Sequence, residues 1–335
     1  MRSTNRKAGY LTSVFGIFLL FLLGTASASG LSAQSLDIPS KSWGVSFGNS
    51  KNFTGLRFNF RDSRVERITG VNVTLWRPSQ DDKDAVVTGL SLGLGPGGGR
   101  LRGVQLGILG AGADISMIGL NLGGLGVGAG EDLIGLNIGG LGLGAGENVT
   151  GISLGGLGAG AGTNLLGIAV GGLGVGAGEN AAGIFVGGLG AGCGENLTGV
   201  AIGGLGAGCG ENLTGLVIAG LGAGAGGRLT GVAICGLAAG APEIRGLVIG
   251  GIGAGGKDLK GAFFGGAMVL VDKGGRLSGL AASSFNDVRG TVNGLCIGIV
   301  NYAWKIEKGL QLGLVNIVRD NPKGLRVLPV FNTKF

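Results

Sequence analysis

From Gly119 onward the chain repeats one pattern of apolar and polar positions every 16 residues. In the unit GLNIGGLGLGAGENVT, residues 135–150, Leu136 and Ile138 are apolar at positions 2 and 4. Asn137 and Gly139, at positions 3 and 5, are polar or small. This period-2 alternation is a strand signal. Leu141, Leu143 and Ala145 then place apolar side chains at positions 7, 9 and 11. The apolar parity therefore changes across the pair Gly139-Gly140, and glycine is suited to the bulge, corner or turn such a change needs. Glu147-Asn148 reads as a turn. Val149 at position 15 and Thr150 at position 16 lead into the next unit.

Seven such units begin at Gly119, Gly135, Gly151, Gly167, Gly183, Gly199 and Gly215, without a spacing error. Degenerate units begin at Gly44, Gly55, Gly70, Gly89 and Gly103 before them. Others follow at Gly231, Gly246, Gly261, Gly279, Gly294, Gly309 and Gly324. The expected organisation is one all-β repeat domain over 34–335, a glycine-rich array of about 19 units of roughly 16 residues. Its degenerate N-terminal units occupy 44–118, the regular repeats 119–230 and the degenerate C-terminal units 231–335. No 3.6-residue period occurs after the first 33 residues, which excludes helix there.

Two architectures fit the pattern. In a β-solenoid each unit is one coil, and positions 2, 4, 7, 9, 11 and 15 all point inward. Coils stacked about 4.8 Å apart make a rod of roughly 90 Å. In an outer-membrane up-and-down β-barrel each unit is one strand and a tight turn. The solenoid is favoured, because hairpin duplication in a barrel would leave a 32-residue alternation of loop lengths, and the sequence has none. Against it, stacking aligns Glu131, Glu147, Glu179, Glu195 and Glu211 at position 13, an unfavourable term. Its exterior would also be mostly glycine and apolar residues, odd for a soluble rod.

Residues 1–33 read as a Sec signal peptide. Arg2, Arg6 and Lys7 precede an apolar core over 11–23, and the small residues Ala26-Ser27-Ala28 and Leu31-Ser32-Ala33 offer cleavage sites. The chain is therefore expected to be exported through Sec. No later apolar run escapes interruption by glycine, so no transmembrane helix is expected.

Composition narrows the chemistry. Glycine supplies 81 of 335 residues, but neither the strict triplet period nor the proline content of collagen is present. An apolar fraction of 44% with only 13% charged residues excludes a solvated disordered chain. Histidine is absent, so Ser-His-Asp and Cys-His catalysis and His-ligated metal sites are excluded. Acids recur singly, one per unit, so no carboxylate pair is placed for acid–base work. No catalytic, cofactor-binding or metal-ligating residue is assigned, no cofactor is expected, and the chain does not read as an enzyme.

The charges are segregated. Residues 34–102 hold ten Lys/Arg against six Asp/Glu, 103–255 hold two against eight, and 256–335 hold eleven against five. Basic ends around a faintly acidic middle do not make the continuous basic face of a nucleic-acid binder. The apolar exterior instead admits a membrane surface, an envelope protein or a second copy of the chain as partner.

Several motifs tempt. The repeated Gly-x-Gly-x-x-Gly belongs to the repeat, with no helix after it, and no P-loop is completed. The units resemble calcium-binding nonapeptide rolls, but Gly144, Gly160 and Gly176 stand where those rolls carry aspartate. One Glu per coil is a thin supply of calcium ligands. Asn148, Asn164, Asn180, Asn196 and Asn212 share position 14 and in a solenoid would form an amide ladder. Cys193 and Cys209 stand where other units carry alanine; with Cys235 and Cys296 they make no disulfide framework.

At the C-terminal end, Gly-Leu-Gln-Leu-Gly-Leu-Val-Asn over 309–316 resembles the GLQIGLIN-type units of bacterial surface-repeat proteins, the Leptospira-type surface repeat family. The likeness extends over 294–335 and in part over 103–109. The central block departs from it, with GGLG replacing GLIN. The resemblance implies an exported, envelope-associated protein, at the outer membrane or cell surface of a bacterium, and implies no activity; a structural or interaction role is the expected function. The final Val330-Phe331-Asn332-Thr333-Lys334-Phe335 also resembles the terminal strand of outer-membrane barrels, which implies a pore or membrane scaffold as the alternative.

Overall fold

The computed structural model describes residues 35–79 and 83–335, so the expected signal peptide lies outside the described residues. Every described element is a strand or turn, and the units stack as successive coils of a β-solenoid of roughly 16 turns. Neighbouring coils pair in parallel and in register. Asn148–Gly155 lies between Asp132–Gly139 and Asn164–Gly171, each residue opposite its counterpart one unit away. Parallel pairing of successive units is incompatible with an up-and-down barrel, so the barrel alternative and the pore it implied fall.

Each regular coil has a long strand from position 14 to position 5 of the next unit and a short strand over positions 8–11. Asn148–Gly155 and Gly158–Ala161 are one such pair. Corners fall at positions 6–7 and 12–13. The ends are closed by antiparallel strands. Ser35–Pro39 pairs with Trp43–Gly48 at one end, and Val327–Thr333 pairs with Val300–Val318 at the other. The C-terminal alternating segment is thus the cap of the last coil. Gly324, expected to open a nineteenth unit, precedes this cap and is not stacked on Gly309. An antiparallel strand at each end thus replaces the parallel stacking edge of the coils.

The inward and outward faces correct one expectation. Positions 9 and 15 are buried as foreseen, as in Leu143 and Val149, and position 11 packs partly against the core. Positions 2, 4 and 7 point out. Along the continuous long strand, inward residues alternate without interruption from position 15 through 1, 3 and 5. Position 3 is therefore inside, and the apolar residues at 2 and 4 are on the exterior. Leu141 at the corner is 52% exposed. The parity change across Gly139-Gly140 is a change from outside to inside, made by a corner.

The core is thin and shared between columns. Position 15 supplies Leu133, Leu165, Leu197, Leu213 and Leu229, all at most 2% exposed. Where Ala181 replaces leucine in that column, Phe185 enters at position 3 of the same strand, between Ala169 and Ala201 on the adjacent coils. The large side chain fills the volume the small one leaves, as close packing requires. The interior is therefore packed with side chains and encloses no channel along these coils.

Glycine plays two different parts. At position 1 it has positive φ from Gly44 to Gly309, for example +139° at Gly183. A Cβ on Gly183 would lie 1.9 Å from the carbonyl oxygen of Gly167 one coil below. At Gly174 and Gly176, positions 8 and 10 of one short strand, the φ is ordinary and the space is open. A Cβ on Gly174 or Gly176 would be 3.6 or 3.5 Å from its nearest neighbour.

Candidate interaction surface

The outward positions of the long strand form one continuous face. Position 2 runs Leu136, Ile152, Ile168, Ile184 and Val200 in register, and position 4 runs Ile138, Leu154, Val170, Val186 and Ile202 beside it. Position 7 adds Leu141, Leu157, Leu173 and Leu189 along the adjoining corner, about half exposed each. Both strand columns stay apolar from Val45 and Phe47 through Leu310 and Leu312, without a polar or charged exception. At the N-terminal end the rings of Phe47 and Phe58 stack in column 4, with centroids 5.5 Å apart. At about 4.8 Å per coil the face is on the order of 1,000 Å². A soluble monomer rarely exposes more than a few hundred Å² in one apolar patch.

Beneath this face, column 3 is polar over the N-terminal coils. It runs Ser46, Arg57, Asn72, Ser91, Gln105, Asn121, Asn137 and Ser153, all buried. Arg57 is held by four side chains. Its Nη1 donates to Asp62 Oδ1 at 2.5 Å and to Asn72 Oδ1 at 2.8 Å; Nη2 donates to Asn49 Oδ1 at 3.0 Å and Nε to Ser50 Oγ at 3.2 Å. Asp62 also accepts from Asn59 and Thr74. Such pairing is what allows an ion pair to be buried at all.

The foreseen amide ladder is present. Asn164 donates to Asn148, Asn180 to Asn164, Asn196 to Asn180 and Asn212 to Asn196, at 2.9–3.2 Å. Two further ladders were not foreseen. Asn121 donates to Asn137, and Asn137 to Ser153, inside the N-terminal coils. Near the C-terminus Asn286, Asn301 and Asn316 link at 2.7 and 2.8 Å. Asn286 and Asn301 also donate to backbone carbonyls of Ile297 and Leu312, pinning the corner of the next coil. The final Asn of the Gly-Leu-Val-Asn motif, Asn316, therefore has a structural role. Its signal in the sequence was the recurrence of Asn301 and Asn316 at the same place in successive units.

The position-13 glutamates occupy the far corner from the leucines of position 7. Their backbones are bonded coil to coil, as from Glu147 N to Glu131 O at 2.9 Å. Among the described residues no group of three or more His, Cys, Asp or Glu is placed to hold a metal ion. Glu243 differs: hydrogen bonds from Arg228 and Arg245, both 2.6 Å long, hold its carboxyl below the usual carboxylate range. An open groove of about 980 Å³ lies where Trp76, Arg77 and Pro78 overhang the first short-strand glycines.

Cys193 and Cys209 are register partners on adjacent coils, and both thiols are free. Burial, and next the neighbouring Cys209 sulfur, push the Cys193 thiol up to about 11. Burial alone pushes Cys296 to about 12. Neighbouring parallel strands place Cα atoms about 4.8 Å apart, within disulfide range. Mild oxidation of the folded protein near pH 9 is expected to link Cys193 to Cys209 within one chain, mapped by mass spectrometry. Cys296 should resist thiol reagents until the protein unfolds. Efficient labelling of Cys193 and Cys209 with no pairing between them would contradict their adjacency.

No family model, curated protein or solved structure matches this chain.

Proposed function

We propose that this protein is an exported rod of the bacterial envelope, with a structural or interaction role and no catalysis, whose working part is the apolar sheet face. The observation that carries this reading is the pair of outward columns at positions 2 and 4, apolar along the whole solenoid. Keeping the 36 apolar side chains of these two columns in water is unfavourable, at about 25 cal/mol per Å² of surface left uncovered. A chain that does so in every coil presents that face to something that covers it. The in-register parallel pairing and the asparagine ladder make the coils regular, as suits a scaffold. Export is supported by the charged, apolar and small-residue order of 1–33.

The test is to express the full chain in a bacterium with an outer membrane, fractionate the cells and sequence the mature N-terminus. A chain beginning at Ser29 or Gln34 in the envelope or surface fraction is the expected result. A chain retaining residues 1–33 and found in the cytosol would overturn the reading.

A further inference from the structure

The covering partner is specified by the charges beside the apolar columns. Positions 14 and 16 point outward from the same long strand, next to positions 2 and 4. In the central coils they carry mainly asparagine and threonine. Toward the ends they become basic: Arg67, Arg100 and Arg102 at one end, Lys260, Arg276 and Lys308 at the other. These side chains are exposed or half-buried. Three acids stand in the two columns: Glu243 is paired with Arg228 and Arg245, Asp258 lies opposite Arg276 in register, and Asp132 accepts from Asn148, while Arg276 also reaches Glu307 at 3.9 Å on the surface. The glutamates of position 13 sit on the corner remote from position 7.

We infer that the apolar face lies on an anionic lipid bilayer, with Leu and Ile of positions 2, 4 and 7 in the acyl boundary and the flanking Arg and Lys against lipid headgroups. A second copy of the chain fits less well. Both ends of the rod are basic, so face-to-face pairing in either direction sets base against base, which is unfavourable. An anionic surface turns the same charges into attraction, roughly additive over the basic residues near the surface. The alternation points the same way. Over the N-terminal coils the long strand is polar inside, at Arg57, Asn72, Gln105 and Asn121, and apolar outside. That is the inverse of a water-facing sheet and the sense of a lipid-facing one. The geometry is that of an interfacial element, an apolar face rimmed by Lys and Arg, built from a sheet in place of a helix. The rod lies on the membrane and does not cross it, because its core is filled and its ends are capped.

This inference rests on the rod being an envelope docking protein, and the experiment separates the two. The exported chain, purified free of detergent, is sedimented with vesicles of phosphatidylcholine alone and with 30% phosphatidylglycerol, at low and high salt. Sedimentation velocity without vesicles gives its oligomeric state. The expected result is at least tenfold stronger partition onto the anionic vesicles, lost as salt rises. Two variants follow. Replacing Arg100, Arg102, Arg276 and Lys308 by glutamine should weaken anionic binding at least tenfold. Ile152→Asn, Ile168→Asn and Ile184→Asn together should abolish it. These side chains point outward, so the circular dichroism and melting of both variants should match the parent. Equal binding to neutral and anionic vesicles, or none to either, would overturn the inference. If the chain ignores vesicles but forms a dimer that the asparagine variant dissolves, the lipid partner is wrong and the docking face stands. If it ignores vesicles and stays a monodisperse monomer, the docking reading falls as well.

Discussion

Gly183→Ala will destabilise the solenoid severely, whereas Gly176→Ala, seven residues earlier in the chain, will be tolerated. Both substitutions add one methyl group to a strand glycine, and they differ in the backbone conformation and in what that methyl meets. Gly183 has φ of +139°, a region that costs a residue with a side chain about 1–3 kcal/mol. Its Cβ would also fall 1.9 Å from the carbonyl oxygen of Gly167, a backbone atom fixed by the parallel ladder. That oxygen can retreat only if the coils separate, which breaks the register on both sides. The summed loss is expected to exceed about 4 kcal/mol, the range of backbone strain combined with overpacking. At Gly176 the φ is ordinary and the nearest atom is 3.5 Å away. Alanine there also restricts the unfolded chain, a stabilising term of about 0.4–1 kcal/mol. Thermal melts followed by far-ultraviolet circular dichroism decide the matter. Equal melting temperatures for the two variants would show that position 1 does not require glycine.

The same contrast explains how much of the fold was legible. The 16-residue period, the corners at Gly-Gly and Glu-Asn, the asparagine ladder and the parallel stacking all follow from repetition. A unit that contacts only its neighbours repeats its contacts as it repeats its residues. The assignment of faces failed for a physical reason. Apolar residues at positions 2 and 4 suggest an inward face only if the exterior meets water. Here Leu136 and Ile138 are outside, and the core rests on Val149, Leu143 and whatever fits at position 3. A signal was present: Gly135 at position 1 is flanked by Thr150-type and Leu136-type residues on one parity and by position 15 on the other. Position 15 is apolar in every regular unit, so parity counted from it places position 3 inside. The exchange of Ala181 with Phe185 carries the same information, since compensating volumes must share a core.

The N-terminal network was less legible, because it joins segments whose separation in sequence is irregular. Gly44 and Gly55 are stacked across a short unit, and Gly55 and Gly70 across a longer one. Asn49, Ser50, Asp62 and Asn72 therefore converge on Arg57 from three coils, a meeting that no fixed spacing announces. An alternating strand with Leu56 and Phe58 on one face and Arg57 on the other suggests a solvated arginine. In the structure Arg57 is fully buried and the two apolar residues lie on the exterior face.

Removing the partner of this arginine will have the second large effect. Arg57 and Asp62 form an ion pair whose side chains are 0% and 4% exposed. A buried guanidinium left without its carboxylate keeps its desolvation cost and loses the attraction that offset it, which costs about 3–5 kcal/mol. Asp62→Asn should therefore lower stability by that amount, although the amide is nearly isosteric and can still accept from Thr74. Arg57→Met should be comparably severe, since it strands Asp62 among Asn59, Asn72 and Thr74. With both residues replaced, no charge is left unpaired, and the double variant should be less destabilised than the sum of the two by about 1–3 kcal/mol. Because coils are coupled mainly to their neighbours, the loss should be concentrated at one end of the rod. Hydrogen exchange read by mass spectrometry is the suitable measurement. Peptides covering 44–76 should lose protection in either single variant, and peptides covering 149–230 should keep it. Exchange unchanged over 44–76 in Asp62→Asn would mean that the aspartate contributes little to holding the buried arginine.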